Sequence, residues 1–285
     1  MTVRRYDDTP GLGSLYARTV KATLRRAGYT PDGDGLTLEL PRAEVDQDHL
    51  ASYREVTGFR AGPALPVTYP HVLAFPLHLD LMSDPSFPYK PMGILHLSNT
   101  ITQHQPIPVH TELAIRVHSG PERPHPKGTI FDVLSEVRAD GELVWTDFTT
   151  LLSRSAGNPS AHADLLPDPS LAPTASWDLR ANLGRRYAAV SGDRNPIHLF
   201  KLTAQAFGFP RQIAHGMWAK AASLASIERA DGLPDAFTVR VDFRKPLLLP
   251  SRVQFGYRRA DDAVDFALYD EEQTLTHLIG RLRPL

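Results

Sequence analysis

The chain has 285 residues, of which 42% are apolar and 22% charged, enough apolar material for the core of one large domain or two ordinary ones. A formal net charge of −1 gives no electrostatic basis for holding nucleic acid or an anionic membrane, and no apolar run approaches the length of a membrane span. The absence of cysteine excludes thiol nucleophiles, disulfides and thiolate metal sites. The N-terminal MTVRRYDDTPG has two arginines with no apolar run behind them, so it does not read as a signal peptide, and the expected compartment is the cytoplasm.

A short helix is expected around Leu15–Ala27 and a first strand at Leu36–Leu40. The spacing of Leu50, Tyr53 and Val56 predicts a helix over Asp46–Gly58, and the apolar run Tyr69–Met82 reads as a helix broken at Pro76. Four strands come next, at Met92–Ile101, Val109–His118, Thr129–Arg138 and Glu142–Ser153. Turn signals at Gly120-Pro121, Lys127-Gly128 and Asp140-Gly141 separate them, and the last predicts a hairpin. Over residues 154–176 Pro, Ala, Ser and Asp dominate and periodicity vanishes. That stretch reads as a linker crossing the surface between an N-terminal unit, 1–153, and a C-terminal unit, 177–285. In the second unit helical spacing covers Trp177–Val190, a short helix spans Pro196–Phe207 up to Gly208, and a longer one, rich in Ala and Ser, spans His215–Arg229. Strands are expected at Ala236–Phe243, Arg252–Arg258, Ala263–Tyr269 and Thr274–Leu282.

The two units repeat one another. Tyr53-Arg54-Glu55-Val56-Thr57-Gly58 mirrors Tyr187-Ala188-Ala189-Val190-Ser191-Gly192, and His71 occupies the place of His215. Each unit reads as helix followed by antiparallel strands, an α+β layer arrangement whose two sheets can pair edge to edge. They differ after the shared glycine. The first copy continues Phe59-Arg60-Ala61-Gly62 where the second has Asp193-Arg194-Asn195-Pro196, and the first is ten residues shorter before its histidine.

Asp193-Arg194-Asn195-Pro196-Ile197-His198 therefore carries the candidate chemistry. Pro196 suits the first position of a helix and biases Asn195 toward an N-cap, which puts His198 in the first turn. The helix dipole there favours a neutral imidazole able to accept a proton, and a carboxylate within one turn of it can hold a single water between them.

The stretch Tyr-x-x-Val-Ser-Gly-Asp-x-Asn-Pro-Ile-His over 187–198, followed by Ile-Ala-His-Gly-Met at 213–217, resembles the signature of MaoC-like, R-specific enoyl-CoA hydratases (hydratase 2). The resemblance is firm over roughly residues 180–260 and extends more loosely over the whole chain to the double-hot-dog 3-hydroxyacyl-thioester dehydratases, in which a hot dog without catalytic residues precedes a catalytic one. It implies that Asp193 and His198 hold the catalytic water, that Asn195 orients its neighbours, and that the Gly216 N–H contacts the thioester oxygen. The expected activity is (R)-specific hydration of trans-2-enoyl thioesters or the reverse dehydration, on an acyl-CoA or acyl-ACP substrate, with no cofactor. Some members carry a serine eight residues after that glycine; here Leu224 stands there, with Ser223 beside it. Both a monomer and a homodimer remain open.

Other features carry less. His96, His104, His110, His118 and His125 lack metal-ligand spacing, and no metal site is expected from them. Arg194, Arg211, Arg244 and Lys245 are candidates for CoA or pantetheine phosphate contacts, with ordinary solvated charges as the plainer reading. The missing insert in the first unit is expected to leave room for a longer or bulkier acyl chain. A non-catalytic acyl-thioester binding subunit and a hot-dog thioesterase are the alternatives.

Overall fold

Side chains that alternate between buried and half-exposed along most strands, as in β4 (Leu113–His125) with Leu113, Ile115 and Val117 inward, build a sheet with one covered face. The computed structural model describes residues 2–24, 35–161, 164–260 and 262–285. Its N-terminal half contains β1 (Thr2–Arg5), α1 (Leu12–Leu24), β2 (Leu36–Ala43), α2 (Gln47–Thr57), α3 (Tyr69–Ser83), β3 (Leu95–Gln103), β4, β5 (Gly128–Ala139) and β6 (Glu142–Arg154). The other half contains β7 (Ala175–Leu179), α4 (Leu183–Ser191), α5 (Pro196–Leu199), α6 (Lys201–Gln205), α7 (Gly216–Asp231), β8 (Phe237–Phe243), β9 (Ser251–Ala260), β10 (Ala263–Asp270) and β11 (Thr276–Pro284). All the strands join one sheet in the order β1-β2-β4-β5-β6-β3-β8-β11-β10-β9-β7. The halves meet where β3 and β8 pair antiparallel, Ser98 opposite Asp242 through Gln103 opposite Phe237. The architecture is a double hot dog.

Helices α3 and α7 are the two buried axes. α7 packs on β10 and β11, and α3 on β2, β4 and β5. Both are buried nearly all round, so neither presents the single apolar stripe of a surface helix. Ala219, Ala221, Ala222 and Ala225 let α7 sit close against the sheet. Its middle also carries Lys220, fully buried, whose Nζ donates to Asn99 Oδ1 (2.5 Å), Asn99 O (3.2 Å) and Val239 O (3.2 Å). An ammonium has three donors, and all three are met on the strands that join the halves.

The repeat is visible in the helices that precede each axis. α2 and α4 both end on a left-handed glycine, Gly58 and Gly192, whose N–H closes on Arg54 O and Ala188 O. The two helices face each other, with the Tyr53 and Tyr187 rings 6.3 Å apart. The Asp140-Gly141 hairpin joins β5 and β6 with positive φ at both residues, as a type I′ turn requires.

Several expectations need correction. Trp177 does not begin a helix: Ala175–Leu179 is an edge strand against β9, and the helix starts at Leu183 beyond Asn182. The stacked rings of Trp177 and Phe255, 4.9 Å apart, show why an aromatic on a pleated face outweighed its helical spacing. Gly120-Pro121 is not a turn; β4 runs through it, with a register shift between Ser119 and Glu122 that accommodates a residue lacking an N–H donor. α3 continues through Pro76 without a break. Pro196–Phe207 forms two short helices, not one, parted at the extended residue Phe200. The Arg185 guanidinium lies 5.0 Å from the Phe200 ring centroid. β1, a four-residue strand parallel to β2, is too short to carry a periodic signal. α1 begins at Leu12 rather than Leu15, and residues 25–27 of the expected helix lie outside the described ones.

The segment expected to link the halves is strapped to the sheet. Leu166 N–H donates to the Asp242 carboxylate (2.6 Å), Leu171 is buried with its N–H on the Tyr269 hydroxyl (3.1 Å), and Thr174 N–H donates to Phe255 O (2.7 Å).

Candidate active site

The loop after α4 is held from three sides before any chemistry is considered. Asn195 caps α5: its Oδ1 accepts from Ile197 N–H at 3.4 Å and Pro196 stands at the first helical position. The Asp193 carboxylate accepts the Asn195 N–H (3.0 Å), and the Ser191 hydroxyl accepts the Asp193 N–H (3.2 Å). From the other half, the Tyr16 hydroxyl on α1 donates to Gly192 O (2.8 Å) and accepts Arg194 N–H (2.5 Å). Beneath the loop, Gly184 lies so close to the His198 carbonyl oxygen that a Cβ there would overlap it.

These constraints bring Asp193, His198 and His215 together. His198 donates from Nδ1 to Ile213 O (2.9 Å), which leaves the Nε2 lone pair free in the neutral ring. His215, the residue before α7, donates from Nε2 to the backbone carbonyl of Asp193 (2.9 Å). The two imidazoles stack, centroids 3.7 Å apart and 24° from parallel. One Asp193 carboxylate oxygen lies 3.9 Å from His198 Nε2 and 3.8 Å from His215 Nε2. Such separations are too long for a direct hydrogen bond and fit two groups sharing one water oxygen.

Burial sets the charge states. It pushes His198 below its ordinary pKa, against the pull of Asp193, and pushes His215 down to about 3, with His198 acting in the same sense. Both rings are neutral at neutral pH. Burial acts to raise the Asp193 carboxyl, but the His215 and His198 rings and the Asn195 N–H outweigh it and hold the group below its usual range. The result is a carboxylate beside neutral imidazole, a proton-accepting pair.

The site opens into a cavity of about 1030 Å³ that both halves line. Gly216 faces it at the first turn of α7, where backbone N–H groups lack intrahelical partners and the helix dipole favours negative charge. A Cβ on Gly216 would come within 2.8 Å of the Phe243 ring, so the backbone is exposed to a ligand there only because the residue is glycine. Asn195 lines the cavity too. Of the four cationic candidates, Arg244 and Lys245 lie on its wall, and Arg194 and Arg211 do not. Arg244 is held by Leu166 O, and Arg211 by Pro250 O at 3.2 Å. Ser223 is fully buried and its hydroxyl has no hydrogen-bond partner among the described residues, so it gives Asp193 no support.

Asp193, His198 and His215 each offer a ligand atom, all within 4.8 Å of one another. In this arrangement His215 Nε2 carries the proton given to Asp193 O and so offers no lone pair to an ion. Tyr16, Gly184 and His215 acquire their roles only in the folded chain. The His-Gly pair at 215–216 was the available signal for His215. Nothing local marks Tyr16, 177 positions before Asp193.

Residues 171–277 match the family model described as a MaoC-like domain. The chain is 37% identical over 264 residues to the 3-hydroxyacyl-thioester dehydratase X of Mycobacterium tuberculosis, covering 91% of this chain and 92% of that one. It belongs to the MaoC-like dehydratase family. As a member it is a hydro-lyase. The crystal structure of HtdX from M. tuberculosis superposes with a TM-score of 0.78 at 35% identity, over 87% of this chain and all of the other. The peroxisomal enoyl-CoA hydratase 2 of Arabidopsis thaliana is 28% identical over 149 residues, 47% of this chain and 48% of that protein. No helix among the described residues is long and apolar enough to cross a membrane.

Proposed function

We propose that this MaoC-like protein adds water to trans-2-enoyl thioesters to give (3R)-hydroxyacyl thioesters, and catalyses the reverse dehydration, with the acyl group carried on CoA or acyl carrier protein. The observation that carries the reading is the Asp193 carboxylate 3.9 Å from the free Nε2 of a neutral His198, in the cavity that Gly216 faces. Water held by the pair attacks C3 while one of its protons passes to the Asp193–His198 unit. Negative charge moves onto the thioester oxygen, where the Gly216 N–H stabilises it; such a donor contributes about 3 kcal/mol. The unit then returns a proton to C2 on the same face, so no proton is consumed and no cofactor is called for. Asn195 and His215 keep the loop in register. Arg244 and Lys245 are the cations available to a phosphate at the cavity wall. The cytoplasm suits a protein without cysteine.

The deciding experiment is hydration of a short enoyl-CoA by the purified protein, with chiral analysis of the product. The expected result is the R alcohol. Release of free thiol instead would make the protein a thioesterase, and no turnover of any chain would leave an acyl-binding subunit.

A further inference from the structure

The half without the Asp–His loop is not chemically blank. His71, in the first turn of α3 and in the same place in the repeat as His215, lines the cavity. Its Nδ1 meets the Asp147 carboxylate at 2.5 Å. Asp147 is fully buried and accepts in addition from Asn99 Nδ2 (2.6 Å) and the Thr149 hydroxyl (3.0 Å). Asn99 in turn accepts from Lys220. Burial acts to raise Asp147, but His71 above all, with His78 and Lys220 in the same sense, holds it below its usual range, and Asn99 bridges the carboxylate to Lys220. What His71 gains from Asp147 is orientation: with Nδ1–H committed, Nε2 has no protein partner among the described residues. His96, on β3, lines the same cavity with a buried Nε2 that has no partner at all among them. Its ring stands edge-on to Phe243, 4.7 Å away, and Phe243 is the ring that lies against Gly216. An alkyl chain entering here would strand both nitrogens, and an unmet buried polar group costs about 1–3 kcal/mol.

We propose that His71, braced by Asp147, and His96 form a polar subsite in the acyl channel, selecting enoyl thioesters that carry a hydroxyl or keto oxygen on one of the first carbons beyond the double bond. The inference rests on the hydratase reading above. His71 and His96 line the cavity that Asp193 and Gly216 face, and His96 stands against Phe243, the ring that lies on Gly216, which puts the subsite beside the reacting carbons rather than at the chain's far end. The unpartnered Nε2 of each ring can accept from a hydroxyl, and His96, kept neutral by burial, can donate to a ketone in the tautomer that carries its proton on Nε2.

The test compares hydration of trans-2-octenoyl-CoA by the intact protein with that of its γ-, δ- and ε-hydroxy and keto counterparts. At least one oxygenated chain is expected to exceed the plain chain in kcat/KM by about tenfold or more. Parity of the whole series with octenoyl-CoA overturns the proposal, and this comparison needs no variant. In His71→Phe, and in the less disruptive His71→Asn, the ratio of oxygenated to plain substrate is expected to collapse toward one, chiefly through KM. A ratio unchanged from the native protein in a folded variant also overturns it. If no enoyl-CoA in the series is hydrated, it is the hydratase reading that falls, and the subsite falls with it.

Discussion

Replacing Tyr16 by Phe removes one hydroxyl from a helix in the half that lacks the Asp–His loop, yet the loss is expected to appear in turnover. The hydroxyl makes two hydrogen bonds to the Asp193 loop, to Gly192 O at 2.8 Å and from Arg194 N–H at 2.5 Å, and these bracket the carboxylate proposed to hold the water. Each contributes roughly 0.5–1.5 kcal/mol net, so the loop loses about 1–3 kcal/mol of restraint. Restraint on the Asp193 position converts into rate at about 1.4 kcal/mol per factor of ten, which predicts a fall in kcat of roughly 5- to 140-fold. KM should move little, because Tyr16 grips the loop's backbone and the binding surface keeps its shape. The melting temperature should fall by no more than about 5 °C, since the lost bonds are local and the chain is long. Following the loss of enoyl absorbance under saturating substrate measures kcat, and differential scanning calorimetry measures the melt. A Tyr16→Phe protein that melts lower but keeps kcat within twofold of native would refute the reasoning that the first half positions the Asp193 loop for turnover.

Asp193→Asn and His198→Ala should each lower kcat by roughly 100- to 10,000-fold with unchanged circular dichroism; near-native turnover in either would remove that residue from the proposed pair. Gly184→Ala drives a Cβ onto the His198 carbonyl, and should cost about 1–3 kcal/mol in urea denaturation along with activity; a neutral outcome would mean the loop can shift freely. Gly216→Ala should push the Phe243 ring toward the substrate and reduce kcat about tenfold, with partial recovery when Phe243→Leu is added; failure of the second change to help would place the defect elsewhere. Stability should also fall with acid. Burial holds His78 and His215 at about 3, below the unfolded value of about 6.5, so the unfolded chain binds more protons between those limits. Their contribution is complete above about pH 6.5 and lost as pH falls toward 3, with a slope of up to about 3 kcal/mol per pH unit for the two. A melting temperature flat from about pH 7 to 5 would contradict this.

The architecture was legible because burial writes itself into the chain as period-two strands and all-apolar helices, and because the fold says it twice. Tyr53–Gly58 and Tyr187–Gly192 end in the same glycine cap, and the contrast between the residues after Gly58 and those after Gly192 pointed to Asp193, Asn195 and His198, which the geometry brings to one cavity. The features that escaped notice are produced by contacts distant in sequence. Trp177 belongs to a strand because Phe255 is there to stack on it. Lys220 is tolerated inside an alanine-rich helix because three oxygens of the joining strands await its ammonium. His71 reads as an inert counterpart of His215 until Asp147, 76 residues away, is placed behind it. No local window contains such pairs.

The continuous pairing of β3 with β8 has a consequence for how acyl groups are measured. Lobes that swing about a hinge can widen around a large guest and clamp a small one. Here the back wall of the pocket is a single ladder of backbone hydrogen bonds without a seam, and Lys220 rivets one axial helix to it. Such a wall behaves as a mould rather than a clamp. Each added carbon is accommodated until the space is full, and the next one meets the stiffness of the whole sheet, so the upper limit on chain length should be abrupt and little softened by warming.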